Sequence, residues 1–267
     1  MQILDWVERW EEEVPLALQE EWDHSGRQFG RFAQPLTGIV FALDFTKGVL
    51  ERALQEKANL IVTHHPVLFS GVHGLDERIP LQDWIIEALE NNIAVYASHT
   101  AWDWADGGVN DTLGERAGLS DTRALVSRDP SDPLWTVSKG KGVYGTHSRM
   151  RLDDYAAALQ KAFDAESIVY YGNPATEIHR VACLGGAGMD FVPNALKADC
   201  DVMLTGDVKY HEAQDALRAG LCIIDLGHYA GEFPAMGSAL RRSRVMAPGI
   251  AHFLQADAEA ERHNGNA

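Results

Sequence analysis

Apolar residues fall into short runs that recur along the chain in the same order. The runs 39–44 and 60–63 enclose a helical stretch, and runs 181–186 and 202–205 repeat this arrangement 142 positions later. Short continuous apolar runs are typical of strands that are buried on both faces, as in parallel sheets. A helix between two such strands predicts a right-handed βαβ unit with a parallel strand pair. The pattern therefore predicts an α/β fold.

A second match continues the repeat after a slightly shorter link. At an offset of 129, residues 98–103 fall on residues 227–232, so that histidine meets histidine and aspartate meets glutamate. Each copy also begins with a predicted amphipathic helix, near Leu4 in the first and near Leu152 in the second. Agreement in order across four elements predicts two similar βαβ-based halves.

The two halves are predicted to comprise residues 1–126 and 127–267. The boundary is placed in residues 127–133, where Pro130 and Pro133 stand among turn-forming residues and interrupt any regular pattern.

Two adjacent histidines, His64 and His65, follow the second apolar run of the first half. Neighbouring side chains of a regular strand point to opposite faces, so both enter one site only where the strand has ended. Pro66 favours an extended backbone at His65, and the resulting turn could direct the two imidazoles to two neighbouring metal ions. The alternative is a pair of surface histidines in a loop. Their expected position at the carboxyl end of a parallel strand favours a ligand site.

Asp103 follows the next predicted strand and would lie beside His64 if the two strands are neighbours. The alternative for Asp103 is a helix cap, a common role of aspartate. Its counterpart in the repeat is Glu232, which lies four positions after His228. These two residues would share one face of a helical turn, and the two oxygens of Glu232 could bridge a metal pair. An ordinary helix-surface pair is the alternative.

Several residues of the second half have two open interpretations. Gly206 and Asp207 replace the two histidines of the first copy, and Lys209 and His211 follow them. Asp207, Lys209 and His211 could support metal ligands or contact substrate, or they could cap the next helix. Gly227 and Gly231 argue against a regular helix at His228 and for a close backbone approach. The segment Gly185-Gly186-Ala187-Gly188 matches no full phosphate-binding pattern, which favours a tight turn.

Composition narrows the class of protein. The net charge of −16 disfavours binding to nucleic acids and anionic membranes, which are polyanions. We find no stretch of roughly 20 apolar residues to span a bilayer and no signal-peptide pattern at the start. The cysteines Cys183, Cys200 and Cys222 form no Cys-x-x-Cys pair, so we expect buried small side chains rather than disulfides. A cytoplasmic protein is therefore expected.

The sequence resembles the Nif-three-like family of dinuclear-metal proteins, also known as GTP cyclohydrolase 1 type 2 homologues. The resemblance covers nearly the whole chain and rests on seven ordered blocks. These are Trp22-Asp23-His24-Ser25-Gly26, Leu43-Asp44-Phe45-Thr46, Thr63-His64-His65-Pro66, Ser98-His99-Thr100-Ala101-Trp102-Asp103, Gly107-Gly108-Val109-Asn110-Asp111, Thr205-Gly206-Asp207 and Gly227-His228-Tyr229-Ala230-Gly231-Glu232.

The resemblance implies a Nif-three-like fold of two similar halves, assembled into a toroidal hexamer. It also implies two divalent metals per subunit, at a site between the halves, held by the residues that the repeat had already selected. These are His64, His65, Asp103, His228 and Glu232. Two departures stand out: Arg27 occupies a position where leucine is common, and the chain is too short for the extra domain that longer relatives insert.

Two functions follow from these expectations. The first is a metal-dependent hydrolase of the cyclohydrolase, amide or phosphoester type, acting on a small and possibly nucleotide-like substrate. One metal would be held by His64, Asp103 and Glu232, and the other by His65, His228 and Glu232. The candidates for proton transfer or substrate binding are His99, Asp207, Lys209 and His211. The second is a non-catalytic protein that stores, delivers or senses a metal. Nitrogen and oxygen ligands of this kind suit zinc, iron, manganese and nickel alike.

Overall fold

The structure, a computed structural model, describes residues 1–127 and 140–256. Helices and strands alternate through most of this range. The helices are α1 (Ile3–Glu13), α2 (Lys47–Glu56), α3 (Pro80–Glu90), α4 (Thr100–Trp104), α5 (Val109–Arg116), α6 (Leu152–Ala162), α7 (Val192–Lys197), α8 (Tyr210–Arg218) and α9 (His228–Met246). The strands are β1 (Gly26–Phe29), β2 (Gly38–Ala42), β3 (Leu60–Thr63), β4 (Ala94–Ala97), β5 (Ser120–Val126), β6 (Lys141–Arg151), β7 (Val169–Tyr171), β8 (Glu177–Ala187), β9 (Val202–Gly206), β10 (Cys222–Asp225) and β11 (Ala251–Leu254).

The chain forms two compact units. The first unit comprises Met1–Trp102 and the described residues from Met236 onward, and the second comprises Asp103–Ala235. Strand β11 comes from the predicted second half of the chain, yet it pairs with β2 in the first unit. From residue 128 onward, the predicted boundary segment 127–133 lies outside the described residues.

The first unit contains a five-stranded sheet in the order β1-β4-β3-β2-β11. Its strands β2, β3, β4 and β11 are parallel, and β1 is antiparallel to β4. Every residue of β2, β3 and β4 is buried, which explains their continuous apolar sequence. Helix α2 packs its apolar side chains Val49, Leu50 and Ala53 into the core of this unit.

The second unit contains a six-stranded sheet in the order β5-β6-β8-β9-β10-β7. Here β8, β9 and β10 are parallel, and β7 is antiparallel to β10, as β1 is to β4 in the first unit. The two sheets differ in the strand that flanks the other edge of this parallel core. In the second unit β6 pairs antiparallel with β8, whereas in the first unit β11 pairs parallel with β2. Both units are therefore mixed α/β layers around the same parallel three-strand core, as the repeat predicted.

Strand registers test the repeat residue by residue. Ile39 pairs with Leu60, and Val181 pairs with Val202, so the offset of 142 is preserved in both ladders. The second match is less uniform. Because Ile61 pairs with Val95 while Met203 pairs with Ile223, the counterpart of Val95 is Ile223 rather than Ile224. The extra residue is accommodated after β10, where Gly227 has φ 78° and precedes α9.

The remaining sequence expectations about burial also have clear outcomes. All three cysteines are buried and free, and burial raises the pKa of the Cys200 thiol to about 12.

Helix α1 is amphipathic and buries Trp6 and Trp10, whose indole N–H groups donate to Ser243 and Ser98. Arg27 is exposed on β1 and lies 5.9 Å from the Phe32 ring. Within the described residues, no helix is both long and apolar enough to cross a membrane.

Candidate metal-binding site

The turn after β3 carries His64 and His65. The His64 backbone N–H donates to Ala42 O at 3.2 Å and Leu43 O at 3.1 Å, and His65 N–H donates to Leu43 O at 3.0 Å. The Thr63 hydroxyl donates to His65 O at 2.8 Å. These bonds tie the turn to the end of β2. Because the strand has already ended, the two imidazoles are not forced to opposite faces, and their ring centroids are 5.1 Å apart.

A third imidazole joins this pair from the loop after β4. His99 has its ring centroid 5.1 Å from that of His64 and 5.5 Å from that of His65. We call His64, His65 and His99 the histidine group. One candidate ligand atom of each residue lies within 4.8 Å of the other two, so the group could hold a metal ion. His64 is fully buried, and the other two are partly buried. The sequence had suggested His99 for proton transfer, and the structure brings it among the ligand candidates.

Each ring of the histidine group has its Nδ1 atom fixed by an oxygen acceptor. His64 Nδ1 lies 3.0 Å from Ser98 O, and His65 Nδ1 lies 2.7 Å from Asp44 Oδ1. His99 Nδ1 lies 2.7 Å from Asp23 Oδ1. Because these oxygens only accept, each Nδ1 carries the proton, and the Nε2 of a neutral ring carries the lone pair. Metal-binding histidines are typically oriented in this way.

Asp23 is the most heavily bonded of these supports. Its buried carboxylate accepts hydrogen bonds from the Ser25 hydroxyl, the Thr100 hydroxyl and backbone N–H, and the His24 backbone N–H, besides His99. Burial raises the pKa of Asp23, but the hydrogen bonds from His99, Thr100 and Ser25 outweigh it. The pKa therefore lies well below the ordinary value of 3.8. The carboxylate is thus charged and fixes the His99 ring.

The second unit supplies its own histidine and carboxylate at the start of α9. His228 and Glu232 face each other across one helical turn, with Nε2 3.0 Å from Oε2, as their spacing predicted. His228 Nδ1 lies 2.8 Å from Asp207 Oδ2. A neutral ring protonated at Nδ1 would direct its lone pair at a carboxylate oxygen. This pair therefore needs a positive charge, which a proton on Nε2 or a bound cation provides.

Two glycines make room for this pair. Gly186, on β8, has φ 66°, and a Cβ there would collide with Glu232 Oε1. A Cβ on Gly206 would lie 2.9 Å from the His228 backbone nitrogen. The close backbone approach expected at Gly227 is present, because the same Cβ on Gly206 would lie 3.0 Å from Gly227 C. At Gly231 the expectation was wrong, because Gly231 lies inside helix α9 and a Cβ there would meet no atom of the described residues within 4 Å.

The structure also places the remaining candidates from the sequence, which are Asp103, Lys209 and His211. Asp103 lies on α4, partly buried, and its carbonyl accepts from Asn110 Nδ2 at 3.0 Å. Lys209 precedes α8 and pairs with Glu212 at 3.2 Å, in the capping role considered for it. His211 is exposed on the first turn of α8, where its ring contacts Tyr210. The structure thus favours a capping position for Lys209, whereas Asp207 supports a ligand candidate.

The donor set fits a divalent metal in both units. Imidazole nitrogen and carboxylate oxygen suit zinc, iron, manganese and nickel, and Glu232 is a carboxylate only 5% exposed beside an imidazole. The sequence pattern did not single out the supports Asp23, Asp44 and Ser98. The available signal was that all three stand in blocks that carry the family resemblance, but the histidine partners of the two aspartates are 76 and 21 positions away.

Comparisons with known proteins identify relatives of this chain by sequence and by fold. Two relatives, from Clostridium acetobutylicum and Clostridium perfringens, are each named GTP cyclohydrolase 1 type 2 homolog. The first is 30% identical over 226 residues, covering 85% of this chain and 83% of the relative. The second is 31% identical over 236 residues, covering 88% of each.

Solved structures share the fold over almost the entire chain. A Bacillus cereus protein related to NIF3 matches with a TM-score of 0.89 at 23% identity, covering 99% of both chains. A hypothetical protein of Staphylococcus aureus matches with a TM-score of 0.90 at 25% identity and the same coverage. The family described as Duf34/NIF3 (NGG1p interacting factor 3) matches residues 1–250. The chain therefore belongs to the DUF34/NIF3 family.

Proposed function

We propose that the protein is a metal-dependent hydrolase that binds two divalent ions per subunit. One observation carries the proposal: each of the three proposed histidine ligands, His64, His65 and His228, has Nδ1 hydrogen-bonded to an oxygen, the arrangement typical of metal-binding histidines. The proposed metal ligands are His64, His65, Asp103, His228 and Glu232.

The residues of the chain have distinct tasks in this proposal. Bound divalent ions supply Lewis acidity and a water of lowered pKa. Asp44 and Asp207 hold His65 and His228 in one tautomer, and Ser98 O does the same for His64. His99, fixed by Asp23, moves a proton between water and the leaving group. Glu232 supplies negative charge that offsets the charge of the ions.

The names of the relatives support hydrolysis of a ring, because both are called GTP cyclohydrolase 1 type 2 homolog. Opening of a purine-like ring is therefore the first reaction to assay, followed by hydrolysis of amides and phosphoesters. All three reactions develop an anionic transition state, and divalent ions held by the proposed ligands would supply positive charge to stabilise it.

The first experiment measures metal in protein purified without added metal. Elemental analysis is expected to give about two equivalents per chain for the wild type, and less than half of that for His65→Ala and Glu232→Ala. The exposed residues His73 and Glu90 provide matched controls, because His73→Ala and Glu90→Ala remove the same groups from the surface. Equal metal content in all five proteins would refute the ligand assignment.

The second experiment separates catalysis from metal storage. Metal-loaded wild type is expected to hydrolyse at least one member of a panel of purine nucleosides and nucleotides, amides and phosphoesters, and Glu232→Ala is expected to be inactive. Full metal content without turnover of any panel member would instead establish a non-catalytic metal-binding protein.

We also propose that six chains assemble into a toroidal hexamer, as the family resemblance implies. Light scattering coupled to size exclusion is expected to give the mass of six chains. A monomeric mass at micromolar concentration would refute the assembly while leaving the metal proposal intact.

A further inference from the structure

Three aromatic rings stand in contact at the surface of the first unit. Trp22 is 55% exposed and Phe69 is 48% exposed, and their ring centroids are 6.1 Å apart. The exposed His24 meets Phe69 edge-on at 6.0 Å. We call Trp22, His24 and Phe69 the aromatic cluster. Large apolar rings grouped at a surface are unusual unless they bind something.

The aromatic cluster continues directly into the histidine group. The His99 ring lies 5.9 Å from Trp22 and 6.5 Å from Phe69, in both cases edge to face. His99 in turn lies 5.1 Å from His64. Contacts between rings therefore continue from the exposed aromatic cluster through His99 to His64, one of the proposed metal ligands.

The two segments that carry the cluster are held in place. Trp22 and His24 flank Asp23, whose buried carboxylate is fixed by the hydrogen bonds described above. Phe69 follows Leu68, whose backbone N–H donates to Gln28 Oε1 at 3.0 Å. Residues adjacent to the exposed rings are thus anchored by hydrogen bonds, and aromatic surface beside a few polar groups is the usual composition of a small-molecule site.

We propose that the aromatic cluster binds a planar nitrogen heterocycle, such as the purine ring of a nucleoside, as the ring-recognition part of the substrate site. This inference rests on the proposed function, because it assigns the substrate class of the same site. Trp22 and Phe69 offer faces for stacking, which every nucleobase accepts. The imidazoles of His24 and His99 offer nitrogen atoms to the polar edge of the ring. The net charge of −16 favours an uncharged nucleoside over a polyphosphate.

Calorimetric titration of the metal-loaded protein tests this assignment. Guanosine, adenosine and nicotinamide riboside serve as ring-bearing probes, and D-ribose serves as the probe that lacks a ring base. At least one ring-bearing probe is expected to bind the wild type, and D-ribose is expected not to bind. Trp22→Ala should weaken binding about tenfold and Trp22→Phe less than threefold, because phenylalanine retains a stacking face.

Controls separate this inference from the proposal beneath it. Tyr210→Ala removes another exposed aromatic, 65% exposed on α8, and is expected to bind the probes as the wild type does. Metal content is measured in every variant and should not change with Trp22. Unchanged probe affinity in Trp22→Ala at full metal content, or no ring-bearing probe bound by the wild type, would overturn the inference alone. A Trp22→Ala protein that changes only its oligomeric state would overturn it as well, and would identify the cluster as an interface between copies.

Discussion

At the end of β3 the chain carries His64 and His65, whereas at the equivalent end of β9 it carries Gly206 and Asp207. The ladders before these two points share one register, so the positions correspond. In the first unit the strand end provides imidazoles. In the second, the imidazole comes from His228, at the start of the next helix, and the strand end accommodates and orients it.

This difference shows that two copies of a duplicated unit can keep the same fold while different positions supply the imidazole. A glycine at position 206 leaves space for the His228 backbone, and Asp207 places its carboxylate on His228 Nδ1. The first copy has the same type of support from another source, because Asp44, at the end of β2, holds His65. Both copies therefore present an imidazole with a fixed tautomer, reached through different residues.

The largest effect is expected from removing a strand-end ligand. His64→Ala should lower metal affinity by more than about 100-fold, because loss of a ligand exceeds the 10- to 100-fold loss typical of a supporting residue. Competition against a chromophoric chelator measures this, with His73→Ala as the control. Affinity within threefold of the wild type would refute His64 as a metal ligand.

Asp23 supports His99 and Asp207 supports His228, the two histidines that the repeat aligns. We expect the two aspartates to differ in their contribution to the free energy of unfolding. The Asp23 side chain is completely buried, whereas that of Asp207 is 55% exposed. Asp23→Asn should cost about 2–3 kcal/mol of unfolding free energy, because an amide replaces a charged acceptor among buried donors. Asp207→Asn should stay within about 0.5 kcal/mol. Urea unfolding at neutral pH compares the two, and equal losses would contradict the assignment of Asp23 as the buried anchor.

Low pH should abolish the difference in unfolding free energy between the wild type and Asp23→Asn. Its folded-state pKa lies below the ordinary value of 3.8, so its contribution to stability is complete above that value. The contribution is lost as the pH falls through the lower folded-state pKa. The wild type should therefore approach the stability of Asp23→Asn as the pH falls below about 4, and urea unfolding as a function of pH measures this. A constant difference down to the lowest accessible pH would refute the depressed pKa.

A smaller stability change is expected from filling the space at the β9 end. Gly206→Ala should cost about 1–2 kcal/mol, because its Cβ would meet backbone atoms of Gly227 and His228 that cannot rotate away. Gly231→Ala is the matched control within α9 and should be neutral or stabilise by up to about 1 kcal/mol. Thermal unfolding distinguishes them, and equal behaviour would mean that position 206 is not a close approach.

The smallest effect sharpens the comparison of the two supporting aspartates. Asp44 and Asp207 are 45% and 55% exposed, and each lies within 2.8 Å of a histidine Nδ1. Asp44→Asn and Asp207→Asn should each lower metal affinity about tenfold, because each leaves the imidazole less firmly oriented. Chelator competition measures both. A loss confined to one variant would show that only one unit depends on its aspartate.

Much of the fold could be predicted from local pattern. The runs at β2, β3, β8 and β9 are continuous and apolar because their residues are buried on both faces, and burial of that kind is visible in sequence. The helical spacing of His228 and Glu232 was likewise a local property. By contrast, β11 pairs with β2 from more than two hundred positions away, and its short run carries no sign of its partner.

The sequence by itself determined the repeat, the α/β class and the residue types that could bind a metal. The repeat follows from comparing the chain with itself, and the other two depend on neighbours within a few positions. Only the tertiary structure decided that His99 joins His64 and His65, that Asp23 holds His99 and Asp44 holds His65, and that Gly186 and Gly206 leave room for Glu232 and His228. Such contacts join residues distant in the chain, and side-chain identity does not reveal which backbone will approach it. Which distant residues come into contact depends on the course of the backbone, and the packing of the whole unit fixes that course.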